Sequence, residues 1–127
     1  ELGELETRSF PDGESYVRLR SDVRNRFAVF VCTLAHPDGG FLRLLFAADA
    51  ARSLGARDVC LIAPYLAYMR QDNRFQSGEA ISSHTFARLI SASFDRLVTV
   101  DPHLHRYPAL SSLYSIPSDT LHAAPLL

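Results

Sequence analysis

Arginine, histidine and carboxylate side chains gather in three polar segments of this 127-residue chain. The segments are residues 36–40, 65–80 and 101–106, and each follows a run of apolar residues. Guanidinium and imidazole groups bind anions, and carboxylate oxygens suit divalent cations. This combination indicates a site for an anionic ligand that carries a metal ion. The side chains concerned are Arg70, Gln71, Asp72, Arg74, Glu79, Asp101, His103, His105 and Arg106.

The cationic side chains limit the chemistry, because the sequence contains arginine and no lysine. A Schiff base or a lysine nucleophile on this chain is thereby excluded. A cationic contact to a phosphate group must come from a guanidinium, which can bind two oxygens at once. The glycine-rich phosphate loops and the G-x-S-x-G nucleophile motif are also absent from the sequence. A nucleotide would therefore bind here without a glycine-rich cradle.

Two histidines, His103 and His105, are candidates for a metal site. In an extended segment their rings would point to opposite faces, so we do not expect both to bind one ion. Asp101 would share a face with His103, and this pair could hold a divalent cation or order its waters. A metal-dependent hydrolase that uses Asp101, His103 and His105 is kept as an alternative.

Strands and helices alternate along the part of the chain that would position these segments. Apolar runs predict strands over residues 27–34, 58–63 and 95–100, each covered on both faces. The connections between them predict right-handed crossovers and a parallel sheet. We therefore expect an α/β fold, doubly wound and mainly parallel. Ligands bind outside the carboxyl ends of such strands, so the three polar segments should meet at one rim.

Two amphipathic helices are predicted between the strands. The first spans residues 41–54, and Gly55 is its expected C-terminal stop. The second begins at Ser82 or Ser83, either of which is expected to cap it rather than act as a nucleophile. The predicted inner faces are formed by Leu42, Leu45, Phe46, Ala50 and Leu54 in the first helix and by Phe86, Ala87, Leu89 and Ile90 in the second.

A β-hairpin is predicted at the start of the chain. Residues 4–10 and 15–20 are short extended segments on either side of Pro11-Asp12-Gly13, in which glycine supplies the positive φ of a turn. At the other end, residues 110–127 are mixed in character, and Pro117 and Pro125 indicate turns or helix starts.

The composition is that of an ordinary globular domain, with 47% hydrophobic and 21% charged residues. A net charge of −1 gives no reason to expect nucleic acid as a partner. Apolar runs are far shorter than the roughly 20 residues that span a bilayer, so no membrane partner is expected. Cys32 and Cys60 lie in apolar runs, which favours reduced thiols and a cytoplasmic location.

Five stretches resemble the amino-terminal half of ribose-phosphate pyrophosphokinases, in the same order as in that family. The most specific is PYLAYMRQDNRF at residues 64–75, which is similar to the family's P-Y-x-x-Y-x-R-Q-D-R/K segment. The other four are FPDGE at 10–14, VRN at 23–25, VTVDPH at 98–103 and IPSDTL at 116–121.

This resemblance implies a single amino-terminal domain over residues 1–127 of a two-domain synthetase, with a phosphoribosyltransferase-like fold and the second domain absent from the chain. The implied enzyme transfers the diphosphoryl group of ATP to the 1-hydroxyl of ribose 5-phosphate and uses Mg²⁺. The chain alone is expected to be inactive. A non-catalytic regulatory subunit of the same fold is the alternative.

The resemblance also implies roles for individual residues. Arg70 and Gln71 would contact the phosphates and adenosine of ATP, and Asp72 would support their loop. His103 would lie at the magnesium–triphosphate site, with Asp101 a weaker metal candidate. Arg70 and His103 are the residues expected to act in catalysis.

The hairpin turn would have a role between subunits. By the resemblance, Phe10, Asp12 and Glu14, together with Gly13 of the same turn, would reach the adenine of a neighbour's ATP. A homo-oligomer with a shared ATP site is therefore expected.

Overall fold

The computed structural model describes residues 1–124 and contains a hairpin, a four-stranded sheet and two α-helices. Pro125, which the sequence marks as a turn or helix start, lies outside the described residues. Short 3-10 turns occur at Pro37–Gly39 and Leu110–Ser112. The longer elements are β1 Leu5–Ser9, β2 Ser15–Leu19, β3 Phe27–Val31, α1 Phe41–Ser53, β4 Asp58–Ala63, α2 Ser82–Ser93, β5 Arg96–Val100 and β6 Ser118–Leu121.

The sheet confirms the predicted α/β class and parallel topology. Its strand order is β3-β4-β5-β6, and all three neighbouring pairs are parallel. The antiparallel hairpin of β1 and β2 is separate from it and is also confirmed. Strand β6 was not predicted, because only four residues form it and three of them are polar. No helix within residues 1–124 is long and apolar enough to cross a membrane.

Both helices lie on one face of the sheet. Strands β3, β4 and β5 follow one another in a single direction, so two crossovers of the same hand place α1 and α2 side by side, where they touch. On that face, Val59 and Leu61 are fully buried. On the other face, the edge strand β3 exposes Phe27, Val29 and Val31 by 61%, 51% and 69%. The prediction that this strand is covered on both faces is therefore wrong for the described residues.

Helix α1 packs on the sheet through small side chains, which allow a close approach to the strands. The predicted inner face is wrong for its largest members, since Leu42, Phe46 and Leu54 are exposed. Leu45 and Ala50 are partly buried. The fully buried positions are Leu44, Ala47, Ala48 and Ala51.

The end of α1 is the one predicted. Gly55 follows it with φ +92° and donates its N–H to the carbonyl of Arg52 at 3.1 Å. This positive φ is readily adopted by glycine alone among common residues.

The start of α2 differs from the prediction. Ile81 occupies the N-cap position, and no side chain caps the helix. Ser83 is buried instead, and its hydroxyl lies 3.2 Å from the hydroxyl of Tyr107. Phe86, Ala87 and Ile90 form the buried face as predicted, whereas Leu89 is exposed.

The hairpin is anchored to α1 by Arg43. Its guanidinium donates to the hydroxyls of Ser15 at 3.1 Å and Ser9 at 2.6 Å. Gly13 has φ +93° in the turn, as predicted, and its N–H donates to the carbonyl of Phe10 at 2.9 Å. The strands therefore hold the hairpin to the domain, whereas its turn is exposed to solvent.

The two cysteines are free thiols, as predicted. Cys32 and Cys60 are only partly buried, and burial raises the pKa of both. Neither thiol is therefore activated as a nucleophile.

Candidate functional site

The carboxyl ends of β3, β4 and β5 lie next to one another at one edge of the sheet. After each strand, one non-glycine residue has a positive φ: His36 at +51°, Tyr68 at +56° and Asp101 at +40°. Such left-handed conformations cost about 1–3 kcal/mol each and cluster at functional sites. The three loops are therefore held in shapes that local preference alone would not produce. Nothing in the sequence pattern predicted this strain.

Arg70 and His103, which are 33 residues apart in sequence, line the same cavity of about 150 Å³. The cavity lies at the carboxyl ends of β4 and β5. A guanidinium and an imidazole there can both contact one anionic ligand. The structure thus brings together the two residues predicted to act in catalysis. The other lining residues are Tyr65, Leu66, Met69, Val100, Asp101 and Pro102.

A second cavity of about 460 Å³ adjoins the first, because Tyr65 and Arg70 line both. Its wall combines aromatic, cationic and amide groups, so it can accept the planar and polar parts of a nucleotide. Arg70 stands between the two cavities and could contact a ligand that extends from one to the other. The lining residues of the larger cavity are Tyr65, Tyr68, Arg70, Gln71, Glu79, Ala80 and Ser82.

The loop that carries Arg70 and Gln71 is organised by Glu79. The Glu79 carboxylate accepts hydrogen bonds from the Gln71 side chain and from the backbone N–H of Phe75, both at 3.0 Å. The Glu79 carbonyl accepts a third from the guanidinium of Arg74 at 2.7 Å. The backbone N–H of Gln76 contributes most to lowering the pKa of the Glu79 carboxyl, and the N–H of Phe75 and the amide of Gln71 lower it further.

Asp72 connects this loop to the loop that follows β5. Its side chain is only 4% exposed and forms an ion pair with Arg106, with 3.1 Å between Oδ1 and Nε. The guanidinium of Arg106 also lies over the ring of Phe75, 5.4 Å from its centroid, in a cation–π contact. Arg106 was predicted as a rim residue without this partner.

Asp101 has partners other than His103. Its carboxylate accepts a hydrogen bond from the backbone N–H of Ala123 at 3.1 Å and lies 3.0 Å from Nδ1 of His122. These two groups, with Ala123 the larger contributor, lower the pKa of the Asp101 carboxyl. A metal ion at Asp101 would compete with both partners, and its role as a metal ligand stays a prediction.

The rings of His103 and His105 are in edge-to-face contact, with 4.2 Å between their centroids. The expectation that they point to opposite faces is wrong, because β5 ends at Val100 and the chain then turns at Asp101. Within residues 1–124, no group of three or more histidine, cysteine or carboxylate side chains is placed to hold a metal ion. The geometry therefore gives no support to the hydrolase alternative.

The turn of the hairpin is not brought to these cavities within one chain. Phe10, Asp12, Gly13 and Glu14 line neither of the two cavities to which Arg70 contributes. The Asp12 side chain accepts a hydrogen bond from the backbone N–H of Glu14 at 3.1 Å, which stabilises the turn. The contact of this turn with the adenine of a neighbour's ATP stays a prediction.

Residues 1–93 match the family model described as the N-terminal domain of ribose phosphate pyrophosphokinase. This match spans well over half of the chain. The chain belongs to the ribose-phosphate pyrophosphokinase family. It corresponds to the amino-terminal half of these pyrophosphokinases, and the resemblance drawn from the sequence motifs is confirmed.

Curated relatives carry the same family name. A ribose-phosphate pyrophosphokinase of Saccharolobus solfataricus is 43% identical over 104 residues, which is 80% of this chain and 36% of the relative. Another from Methanopyrus kandleri is 37% identical over 124 residues, covering 98% of this chain and 42% of the relative. The chain thus spans about two-fifths of the length of the pyrophosphokinases it matches.

The fold also matches a solved structure of the family. The phosphoribosylpyrophosphate synthetase of Mycobacterium smegmatis superimposes with a TM-score of 0.83 at 27% sequence identity. The match covers 99% of this chain and 42% of that synthetase. The hairpin, the parallel sheet and the flanking helices are therefore features shared with a pyrophosphokinase.

Proposed function

We propose that the full protein transfers the diphosphoryl group of ATP to the 1-hydroxyl of ribose 5-phosphate, giving 5-phosphoribosyl 1-diphosphate and AMP. Family membership supports the reaction class. The observation that carries the proposal for this chain is that Arg70 and His103 line one cavity at the sheet edge. This chain would supply contacts to ATP and an oligomer interface, and it would be inactive alone.

In the proposed reaction, the 1-hydroxyl oxygen of ribose 5-phosphate attacks the β-phosphorus of ATP. The bond from that phosphorus to the oxygen bridging the α-phosphate breaks, and AMP leaves with that oxygen. The proton of the hydroxyl passes to solvent. Such a transfer depends on positioning and on charge neutralisation rather than on a protein nucleophile. The partly buried thiols with raised pKa values agree with this requirement.

Arg70 would bind phosphate oxygens from its place between the two cavities. A charge-assisted hydrogen bond of this kind contributes about 1.5–3 kcal/mol. His103 would contact the triphosphate at the other end of the smaller cavity. Gln71 would face the nucleoside from the larger one, and Asp72 would hold the loop in place through its ion pair with Arg106.

Magnesium would accompany the nucleotide rather than occupy a cage formed by this chain. Mg²⁺ prefers oxygen ligands and commonly binds through substrate phosphates and one or two carboxylates. The residues described here do not fit a self-sufficient magnesium site, because the carboxylate of Asp101 is engaged by His122 and Ala123. When bound, the ion would neutralise charge on the triphosphate.

The shared ATP site is the part of the proposal that requires a homo-oligomer. Phe10 is partly exposed at the tip of the hairpin, and the guanidinium of Arg8 stacks on the rings of Phe10 and Tyr16, 5.1 and 4.1 Å from their centroids. A ring held in this way could pack on an adenine bound to a neighbouring chain. We also propose a cytoplasmic location, which the free thiols support.

The test is the production of AMP by the full-length protein supplied with ATP, Mg²⁺ and ribose 5-phosphate. Stoichiometric formation of AMP and 5-phosphoribosyl 1-diphosphate is expected. Release of ADP or inorganic phosphate in place of AMP would contradict the proposal. ATP binding without any AMP release would instead support the non-catalytic regulatory alternative.

A further inference from the structure

The orientation of the Gln71 side-chain amide is determined by its neighbours. Its Nε2 atom donates to the backbone carbonyl of Asn73 at 2.8 Å and to the Glu79 carboxylate at 3.0 Å. An amide nitrogen carries two protons, and both of these partners can only accept. Turning the amide by 180° would place its oxygen against two acceptors, so the hydrogen-bond network assigns the nitrogen to this side.

The remaining polar atom of the side chain is the carbonyl oxygen, Oε1. Gln71 lines the 460 Å³ cavity beside Arg70, and all side-chain hydrogen bonds that it makes within the described residues use Nε2. Gln71 can therefore offer a ligand an acceptor and has no donor left for it. Phosphate oxygens are themselves acceptors, so this side chain cannot bind them in its present orientation.

We propose that Gln71 determines specificity by accepting a hydrogen bond from the nucleoside part of the ligand, and that Glu79 is the positioning residue that fixes this polarity. The inference rests on the proposed function, since it takes the ligand to be a nucleotide. The donor is an N–H or O–H group, which the adenine amine or a ribose hydroxyl can supply. Arg70 then binds the phosphates without help from Gln71.

Glu79 can fix the amide because it is itself held in place. The backbone N–H of Phe75 donates to its carboxylate, and Arg74 holds its carbonyl. A carboxylate has no proton to give, so only the nitrogen of Gln71 can face it. The Glu79→Gln variant has nearly the same shape but can also donate, which would allow the Gln71 amide to turn.

The experiment measures nucleotide affinity by calorimetry with the full-length protein. Four ligands are compared: ATP, purine riboside 5′-triphosphate, which lacks the amine, and the 2′-deoxy and 3′-deoxy forms of ATP. Loss of the group that donates to Gln71 should weaken binding about three- to tenfold, the effect of one neutral hydrogen bond. The analogue that shows this loss identifies the amine or a hydroxyl as the donor.

The Gln71→Leu variant is then tested with ATP and with the analogue that binds more weakly, so that the two changes form a double-mutant cycle. It should bind ATP about three- to tenfold more weakly and should show no further loss with that analogue. Gln76→Leu, the same change at an exposed position of the same loop, should leave all four affinities unchanged. Glu79→Gln should reduce the discrimination between ATP and the analogue while retaining most of the affinity for ATP.

The outcomes separate this inference from the proposed function. If the protein binds no ATP, the proposed function fails as well. If it binds ATP but Gln71→Leu weakens all four ligands by the same factor, the nucleotide site stands and the hydrogen-bond assignment is overturned. If Glu79→Gln keeps the full discrimination, the positioning role of Glu79 is overturned.

Discussion

Arg106 pairs with Asp72 across two loops, with 3.1 Å between Nε and Oδ1. One loop follows β5 and carries His103, and the other follows β4 and carries Arg70. The Asp72 side chain is almost fully buried, whereas that of Arg106 is half exposed. The ion pair therefore helps to fix the distance between the loops that carry Arg70 and His103, both of which line the smaller cavity.

The first prediction concerns this ion pair. Arg106→Ala should lower the free energy of unfolding by about 1–2 kcal/mol, because it leaves the buried Asp72 carboxylate without its partner. This expected loss of stability is at the lower end of the range for buried ion pairs, because the Arg106 side chain is half exposed to solvent. Urea denaturation would measure it, with Arg88→Ala on the exposed face of α2 as the control. Equal stability of the two variants would contradict the structural role of Arg106.

The second prediction concerns Arg70. In the full-length protein, Arg70→Ala should weaken ATP binding about tenfold or more through the loss of a charged contact. Calorimetry would measure the affinity, and Arg88→Ala, which removes an arginine that lines neither cavity, is the matched control. An unchanged ATP affinity in Arg70→Ala would contradict the assignment of Arg70 to phosphate.

The sequence was sufficient to predict the hairpin, three parallel strands and the gathering of the polar loops at one edge. These features depend on local patterns and on the handedness of crossovers. It was not sufficient for the buried face of α1, because Leu42, which was predicted to lie inside, is exposed, whereas Ala48, which was not predicted, is buried against the sheet. Strand β6 was missed for a similar reason, since its pairing to β5 rather than its own pattern makes it a strand.

Within the candidate site, the motif indicated Arg70, Gln71 and His103, but not the contacts that orient them. The hydrogen bond between Gln71 and Glu79 spans eight residues, and the ion pair between Asp72 and Arg106 spans 34. All four residues lie in loops, outside the helices and strands, so no periodic pattern could predict these contacts.

The third prediction concerns the shared site and uses two inactive variants of the full-length protein. Glu14→Ala should impair the hairpin side and Arg70→Ala the cavity side. Mixed oligomers should recover part of the activity, because some sites then combine an intact hairpin with an intact cavity. AMP release by co-refolded mixtures would measure this recovery. Mixtures no more active than either parent would contradict a site shared between chains.

The fourth prediction is a pH dependence of stability. The pKa of Asp101 is lowered from its usual 3.8 in the folded state, mainly by the N–H of Ala123 and then by His122. A lowered pKa gives stability that is present above the unfolded-state value and is lost as the pH falls through the folded value. Wild type should therefore be more stable than Asp101→Asn at about pH 6, and this difference should shrink below about pH 3.8.

Asparagine is the suitable replacement at this position because it tolerates the positive φ of Asp101. Denaturant titrations of both proteins at several pH values would measure the difference. A difference that is constant from neutral to acid pH would show that the Asp101 carboxylate makes no charge-dependent contribution through these partners.

The last prediction concerns Tyr114, whose hydroxyl is buried without a hydrogen-bond partner in the described part of the chain. Burial raises the pKa of this group well above its ordinary value, since the charged form would be desolvated. Tyr114→Phe should raise the free energy of unfolding by about 1 kcal/mol, because it removes an unsatisfied polar group and keeps the ring. Tyr107→Phe is the contrasting variant, since the Tyr107 hydroxyl lies 3.2 Å from that of Ser83. It should destabilise the protein, and thermal unfolding that shifts both variants in the same direction would contradict this distinction.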